Sequence, residues 1–543
     1  MDTRADWWKR AVIYQVYPRS FADSDGDGIG DIPGILGKLD YLQELGIDAI
    51  WLSPVYTSPQ YDNGYDVADY RGIDPLFGTM EDMDRLIAEA GKRGIRILMD
   101  LVLNHSSDRH PWFLSARESR ESPYHDYYIW KDGAGAEEGD DASSFGEDSW
   151  VWVPEVRQYY YYQFSPRQPD LNWNNPALRA ELYDMIRWWI DKGVGGFRLD
   201  VVDHLGKDPA IGARIDGPEL HARVREMSAA VFQKPGLVTV GEAWSATTEG
   251  AKLYTAPDGS ELSMVFQFKP FLLDRAPGGE KWDTAPLSLV RLKKTFAQWQ
   301  RELHGKGWNS LFWENHDLPR IVSRWGEEGA YREASAKMLA ILLFGMEGTP
   351  FIYQGQELGM TNIHLTAGEY QDVETRNMID ARRARGIPEE AILRSAYAMG
   401  RDNARTPMQW SAEENAGFTA GTPWLPVNPN YPRVNAAEQT GRADSVLECY
   451  RRLIRLRREH PVFTEGDFQL LLPEDEDIFA YTRTGEAERL LILCNFHGEP
   501  LPCPLAAERE GMTLLISNYE DPLETLRPYE ARMYLAPRKE RRD

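Results

Sequence analysis

An amphipathic helix followed by a short apolar strand recurs along this chain, and that order fixes most of what it can fold into. Ile35, Leu39, Leu42 and Leu45 fall at helical spacing, Gly46 is the stop, and IDAIWLSPVY follows. Met83, Leu86, Ile87 and Ala90 repeat the pattern, with Gly94 as the stop and IRILMDLVLNH after it. Over 175–193, Asn175 caps, Pro176 takes the first helical position, and Leu178, Leu182, Met185 and Trp189 form the stripe; Gly193 ends it before GGFRLDVV. Eight runs read as strands: 12–18, 49–56, 95–103, 196–202, 237–244, 264–268, 310–315 and 350–356. They are Val/Ile/aromatic runs without alternation, as in a parallel sheet buried on both faces. Eight strand–helix units predict an α/β fold, the (β/α)8 TIM barrel.

Two stretches break the rhythm. Residues 104–172 are too long for a loop and predict a subdomain inserted after strand three, which divides the barrel into 1–103 and 173–470. It contains KDGAGAEEGDDASSFGEDS, and its YYYYQF run (159–164) reads as part of a small sheet rather than a binding stripe. Beyond residue 470, FQLLL, IFAYTR, RLLILCNF, TLLISN and ARMYLA predict a C-terminal antiparallel β-sandwich domain over 471–543.

Charge and composition narrow the function. The 543 residues carry a net charge of −24, with 61 basic and 85 acidic residues. That excludes partners needing a basic face, such as nucleic acid or an anionic membrane, and fits a neutral small molecule. Eighteen Trp and 26 Tyr exceed what a core requires and suit the flat faces of sugar rings. No apolar run approaches the roughly 18 residues that span a bilayer. MDTRADWWKR lacks a signal-peptide core, and three cysteines (Cys449, Cys494, Cys503) make no disulfide framework. The expectation is a cytoplasmic monomer acting on a small substrate.

Barrel enzymes place their chemistry at the C-terminal ends of the strands. Here those ends carry Asn104 and His105, Arg198 and Asp200, Glu242, and His316 and Asp317. Arg198 and Asp200 are two apart on a strand and share a face; the guanidinium favours an ionised carboxylate, as a nucleophile requires. Glu242 and Trp244 are likewise two apart, and an apolar wall would favour the protonated form of a general acid. An ionised and a protonated carboxyl facing each other equip a site for retaining glycoside hydrolysis. No Walker A loop, HExxH or G-x-S-x-G occurs, and GQELG after strand eight reads as a turn.

With DLVLNH (100–105), QPDLNW (168–173), GFRLDVV (196–202), GEAW (241–244), ENHDLPR (314–320) and RDNARTPMQW (401–410), the chain resembles the α-amylase-superfamily glycoside hydrolases nearly end to end, in their oligo-1,6-glucosidase and α-glucosidase branch. The resemblance implies Asp200 as nucleophile, Glu242 as acid/base and Asp317 as the third acid. It places His105, His316 and Arg198 around one glucose subsite, and Asp62, Tyr65 and Arg401 at a closed end, Arg401 pairing with Asp62. A closed end implies an exo-acting enzyme on short oligosaccharides, and 104–172 becomes the family's B domain. Val201 directly after the nucleophile accompanies α-1,6 cleavage in similar enzymes, where Ala or Thr accompanies α-1,4. The continuation Asp203-His204, where Asn is usual, and Glu314, where Asn or Asp is common, are departures expected near the second sugar. An α-1,4-glucosidase or maltase, a sucrose-cleaving enzyme and a trehalose-6-phosphate hydrolase stay open as alternatives, as does, from another class, a non-catalytic barrel ectodomain.

DSDGDGIGD (23–31) matches a calcium loop in part: Asp23, Asp25 and Asp27 at positions one, three and five, Gly28 at six, the Ile29 carbonyl at seven and Asp31 at nine. Position twelve is Gly34, and a strand rather than a helix precedes the loop, so a calcium sensor is not expected. The resemblance implies a structural Ca2+ there, bracing the first strand–helix connection.

Overall fold

The computed structural model describes residues 6–133 and 149–538; most of KDGAGAEEGDDASSFGEDS lies outside the described residues. The eight expected strands are β1 (Ile13–Val16), β2 (Ala49–Leu52), β3 (Arg96–Leu101), β4 (Gly196–Leu199), β5 (Val238–Glu242), β6 (Met264–Phe266), β7 (Ser310–Leu311) and β8 (Thr349–Tyr353). They pair in parallel in the order β6-β5-β4-β3-β2-β1-β8-β7. A parallel bridge from Val265 to Asn309, with Ser310 Oγ–H donating to the Val265 carbonyl at 2.7 Å, closes the ring. Every strand residue except Arg96 is fully buried, which is why these segments read as unbroken apolar runs. Trp51, Phe266 and Phe351 pack on one another within the barrel.

The helices follow from the expected signals. Asn175 Oδ1 accepts from Ala177 N and Leu178 N at the start of Pro176–Asp191, whose apolar stripe is buried. Thr79 and Asp82 form a capping box on Met80–Lys92. The periodicity over Ile35–Leu45 belongs to two helices, Ile32–Leu36 and Leu39–Leu45, separated at Gly37 and Lys38; Gly46, at φ +95°, ends the second. GQELG is a turn of 3-10 helix between left-handed Gly355 and Gly359.

In the inserted segment, Gln158–Tyr161 is the centre of an antiparallel sheet between Trp130–Asp132 and Trp150–Val153, so the tyrosine run is structural. Bridges His105–Asp170 and Tyr128–Leu171 tie the segment back to the end of β3. At the C-terminus, β9 (Asp467–Leu471), β10 (Ile478–Thr484), β11 (Glu488–Asn495), β12 (Thr513–Ser517) and β13 (Ala531–Pro537) form an antiparallel sheet in the order β9-β10-β11-β13-β12. One face packs on helix Arg332–Phe344 of the barrel. Leu501 and Leu526, from a two-stranded ribbon, cover the other. No helix among the described residues is long and apolar enough to cross a membrane.

Candidate active site

Arg198 points into the barrel from β4 and is fully buried. Its Nη1 bonds Asp100 Oδ1 at 2.8 Å and Asp200 Oδ1 at 2.7 Å, and its Nη2 bonds Glu242 Oε2 at 2.5 Å. One guanidinium thus gathers carboxyls from the ends of β3, β4 and β5. Burial raises the Asp200 carboxyl well above its ordinary range; Arg198 opposes this, and Glu242 and Asp100 add to it. The expected contact with Arg198 is present, but burial and two neighbouring acids outweigh its effect on ionisation. Asp200 and Glu242 thus stand on either side of one shared guanidinium.

Glu242 is also held by Trp244 Nε1–H, which donates to Oε1 at 3.0 Å, and by Val201 N–H, which donates to Oε2 at 3.1 Å. Trp244 is therefore a hydrogen-bond donor here and not the apolar wall expected; its ring stacks on Phe268, with centroids 3.8 Å apart. Val201 lies at φ +35°, ψ 51°. A β-branched residue in this region is strained by about 1–3 kcal/mol. The strain accompanies a backbone that aims Val201 N–H at the acid and leaves the side chain lining the cavity.

Asp317 sits across the site, its Oδ2 3.1 Å from His316 Nε2 and its Oδ1 2.8 Å from Arg405 and 3.2 Å from Arg401. Burial alone would raise its carboxyl; His316 and the guanidiniums of Arg401, Arg405 and Arg198 hold it well below the usual range. Burial pushes His316 and His105 down to about 3, so both rings are neutral. Gln15 Nε2–H donates to His316 Nδ1 at 2.8 Å, which leaves Nε2–H to donate to Asp317. His316 stacks on Tyr65, ring centroids 5.2 Å apart, while Tyr65 O–H donates to Asp100 at 2.9 Å. His105 lies 3.1 Å from the Tyr65 carbonyl and 3.2 Å from Gln168, whose amide donates to Asp62 at 3.1 Å.

Of these groups, Asp200, Glu242, Asp317, Tyr65, His105, Asp62 and Arg401 line a cavity of about 300 Å³, at the small end of ligand sites, whereas the expected subsite residues Arg198 and His316 do not line it and instead hold Asp200, Glu242 and Asp317. Asp62, Arg401 and Asp317 form one ion-paired cluster in its lining. Arg401 stands 3.6 Å from Asp62, but its tighter partner is Asp372, at 2.5 Å. Asp372 was not singled out in the sequence, because an Asp before an amphipathic helix reads as an N-cap; it is one, accepting from Thr375 N at 2.9 Å. Asp100, Arg405 and Gln168 were likewise missed, although all three stand inside matching motifs. The departures expected near the second sugar divide. His204 lines the cavity. Glu314 does not: it is buried against Arg320 at 3.3 Å and Ile321 N–H at 2.5 Å. Asp203 is buried too, and turned to Ser245.

In the loop after β1, carboxylate oxygens of Asp23, Asp25 and Asp27 lie within 4.8 Å of one another. Asp31 is not in this group: Oδ1 caps the next helix at Gly34 N, 2.6 Å, and Oδ2 accepts from Ser24 N at 2.9 Å and Ser24 Oγ at 2.8 Å. Ile29 N–H donates to Asp27 at 2.7 Å.

The alpha amylase catalytic domain profile matches residues 15–466. The oligo-1,6-glucosidase of Halalkalibacterium halodurans is 49% identical over 554 residues, spanning 97% of this chain and 99% of that protein. The glucan 1,6-alpha-glucosidase of Streptococcus pneumoniae is 52% identical over 515 residues, spanning 94% and 95%. The crystal structure of Bacillus licheniformis trehalose-6-phosphate hydrolase superposes with a TM-score of 0.93 at 46% identity, covering 98% of this chain and all of that one.

Proposed function

The chain belongs to the alpha-amylase family of glycoside hydrolases, and on that premise we propose a retaining, exo-acting α-glucosidase that releases glucose from the non-reducing ends of short α-1,6-linked glucosides. The observation that carries this reading is the Asp200–Glu242 pair, joined by Arg198 and lining one cavity of about 300 Å³. The Asp200 carboxylate attacks the anomeric carbon while Glu242 gives its proton to the departing glycosidic oxygen. A covalent glucosyl ester forms, and the leaving sugar departs. Glu242, now a base, takes a proton from water, which attacks the same carbon and frees Asp200. Sharing one guanidinium supports the short carboxyl separation, about 5–5.5 Å, that the retaining course uses. Ionised Asp317 and neutral His105 are suited to hold the hydroxyls of the terminal glucose, with His316 orienting Asp317. The ion-paired cluster of Asp62, Arg401 and Asp317 in the lining, together with the small volume, supports exo action.

The linkage rests on Val201 beside the nucleophile and on the relatives that act on 1,6-glucosides. Trehalose-6-phosphate is less well served. Among the cations on the outer part of the cavity, Lys281 is paired with Glu374 at 2.5 Å and Arg324 with Asp274 at 2.6 Å, while Arg275 stays exposed at the rim. A phosphate dianion would meet Glu374 and two neutralised cations, with the exposed Arg275 alone to balance its charge. Rates on isomaltose, maltose, sucrose and trehalose-6-phosphate test the choice: isomaltose is expected to lead, and negligible isomaltose turnover would overturn it. Asp200→Asn is expected to cost about 10⁴-fold or more in kcat with an unchanged fold, as loss of a nucleophile does.

Asp23, Asp25 and Asp27 supply hard oxygen ligands close together and would hold a structural Ca2+ with the Ile29 carbonyl; Asp31 is engaged elsewhere. Such an ion would supply charge neutralisation and stiffness, not catalysis. The net charge of −24 supports the absence of nucleic-acid and anionic-membrane partners; the further proposal of a cytoplasmic monomer would be checked by fractionation and size-exclusion measurement.

A further inference from the structure

Asp203 stands three residues beyond the nucleophile, and the proposed mechanism does not use it. It is fully buried, and its Oδ2 accepts from Ser245 N at 3.0 Å and faces Ser245 Oγ at 2.7 Å. Ser245 is three residues beyond Glu242. The bond therefore joins the loop bearing the acid to the loop bearing the nucleophile. Ser245 Oγ also lies 2.9 Å from Oδ1 of Asp216, an exposed residue in the left-handed region at φ +52° whose N–H donates to the Asp203 carbonyl at 2.9 Å. A hydroxyl has one proton to give. Both of its carboxyl contacts are hydrogen bonds only when one carboxyl is protonated, so the chain Asp203–Ser245–Asp216 gives a buried acid a proton path to solvent.

We propose that Asp203 is a positioning residue for Glu242: through Ser245 it straps the loop that bears the acid to the loop that bears the nucleophile. Burial pushes Asp203 up to about 7, the Ser245 bonds opposing and the charges of Glu242 and Asp216 adding to the rise. The other groups near it are His204, with Nε2 3.8 Å from Oδ1, and Tyr254 on the helix after β5, whose ionisation Asp203 opposes. Glu242 itself is faced by Arg198 and Asp200 from β4.

The inference rests on Glu242 being the acid, and the test separates the two. Asp203→Asn keeps an amide in the same place without the charge; Asp203→Ala removes the strap as well. Asp203→Asn, which keeps an acceptor for Ser245, is expected to retain kcat within about threefold, while Asp203→Ala is expected to lose about tenfold in kcat with KM changed less than about twofold. An Asp203→Ala enzyme with parental kcat, or an equal loss in Asp203→Asn and Asp203→Ala, overturns the inference. If Glu242→Gln keeps wild-type activity, the functional reading itself fails, and the two outcomes cannot be confused.

Discussion

At the scale of single residues, Val201 ties linkage to mechanism. Its N–H is committed to Glu242, its backbone is strained, and its branched side chain lines the cavity where the leaving sugar must pass. Thr in its place would add a hydroxyl to that wall, and Ala would open it; one methyl-sized change in such a wall is worth about 1–3 kcal/mol, or 10–200-fold in discrimination. Val201→Thr and Val201→Ala are expected to move the isomaltose-to-maltose ratio of kcat/KM toward maltose by about tenfold, and an unchanged ratio would remove Val201 from the specificity argument. The acids and histidines of this site were legible because each ends an apolar run, where a polar residue has no packing reason to stand. Asp372 and Asp100 were not, because a cap and a strand-end acid look the same whether or not a buried arginine waits for them. Asp203 and Glu314 were assigned to the second sugar because orientation at a strand end is not written in the string; both turned out to hold loops instead.

At the scale of elements, the eight strands were found at the expected places, but most runs extend beyond their strands. The run 196–202 gives a strand ending at Leu199; Asp200 N–H still donates to the Leu101 carbonyl at 2.9 Å, and the chain turns away at left-handed Val201. Burial continues past the last sheet bond, and burial is what an apolar run records. The loop after β1 shows an element held by tertiary contact. Asp23 N–H donates to the Phe418 carbonyl at 3.0 Å, and Trp424 N–H donates to the Gly28 carbonyl at 3.1 Å. Gly28 has φ +95°, and a Cβ there would lie 1.9 Å from the Thr422 carbonyl oxygen. Gly28→Ala is therefore expected to cost on the order of 3 kcal/mol, read as a lower denaturation midpoint. If the three gathered aspartates hold calcium, EDTA is expected to lower Tm and added Ca2+ to restore it, by the linkage that stabilises any state binding a ligand. A Tm unmoved by chelation, with no calcium released, would reduce the loop to a hydrogen-bonded acidic turn.

At the scale of the whole molecule, the C-terminal sheet is fastened to the barrel by buried cations on backbone carbonyls. Arg457, on the barrel helix Val446–Glu459, donates to the carbonyls of Phe344, Met346 at 2.9 Å and Gly348 at 2.6 Å, and so secures the end of helix Arg332–Phe344, on which the sheet packs, just before β8 begins. Arg483, from β10, donates to Gly466 and to Phe463 at 3.3 Å. Tyr481 O–H reaches the Leu342 carbonyl at 2.6 Å, and Lys293 takes the carbonyls of Leu472 at 2.6 Å and Ile478 at 3.0 Å. Cations near a helix C-terminus are favourable, and these also satisfy carbonyls that burial would otherwise leave unpaired. The two bodies are thus expected to unfold together, in one calorimetric transition. Arg457→Ala would strand three buried carbonyls and is expected to cost about 3–5 kcal/mol. The carbonyls it serves lie just before β8, at the end of the barrel opposite the active site, so kcat per folded molecule is expected to stay within twofold of the parent. A variant that keeps its midpoint would show the fastening to be redundant. One that splits the transition in two would show that the sheet and barrel are separate folding units. A variant that loses kcat while still folded would mean that the base of β8 communicates with the carboxyl pair at the other end of the barrel.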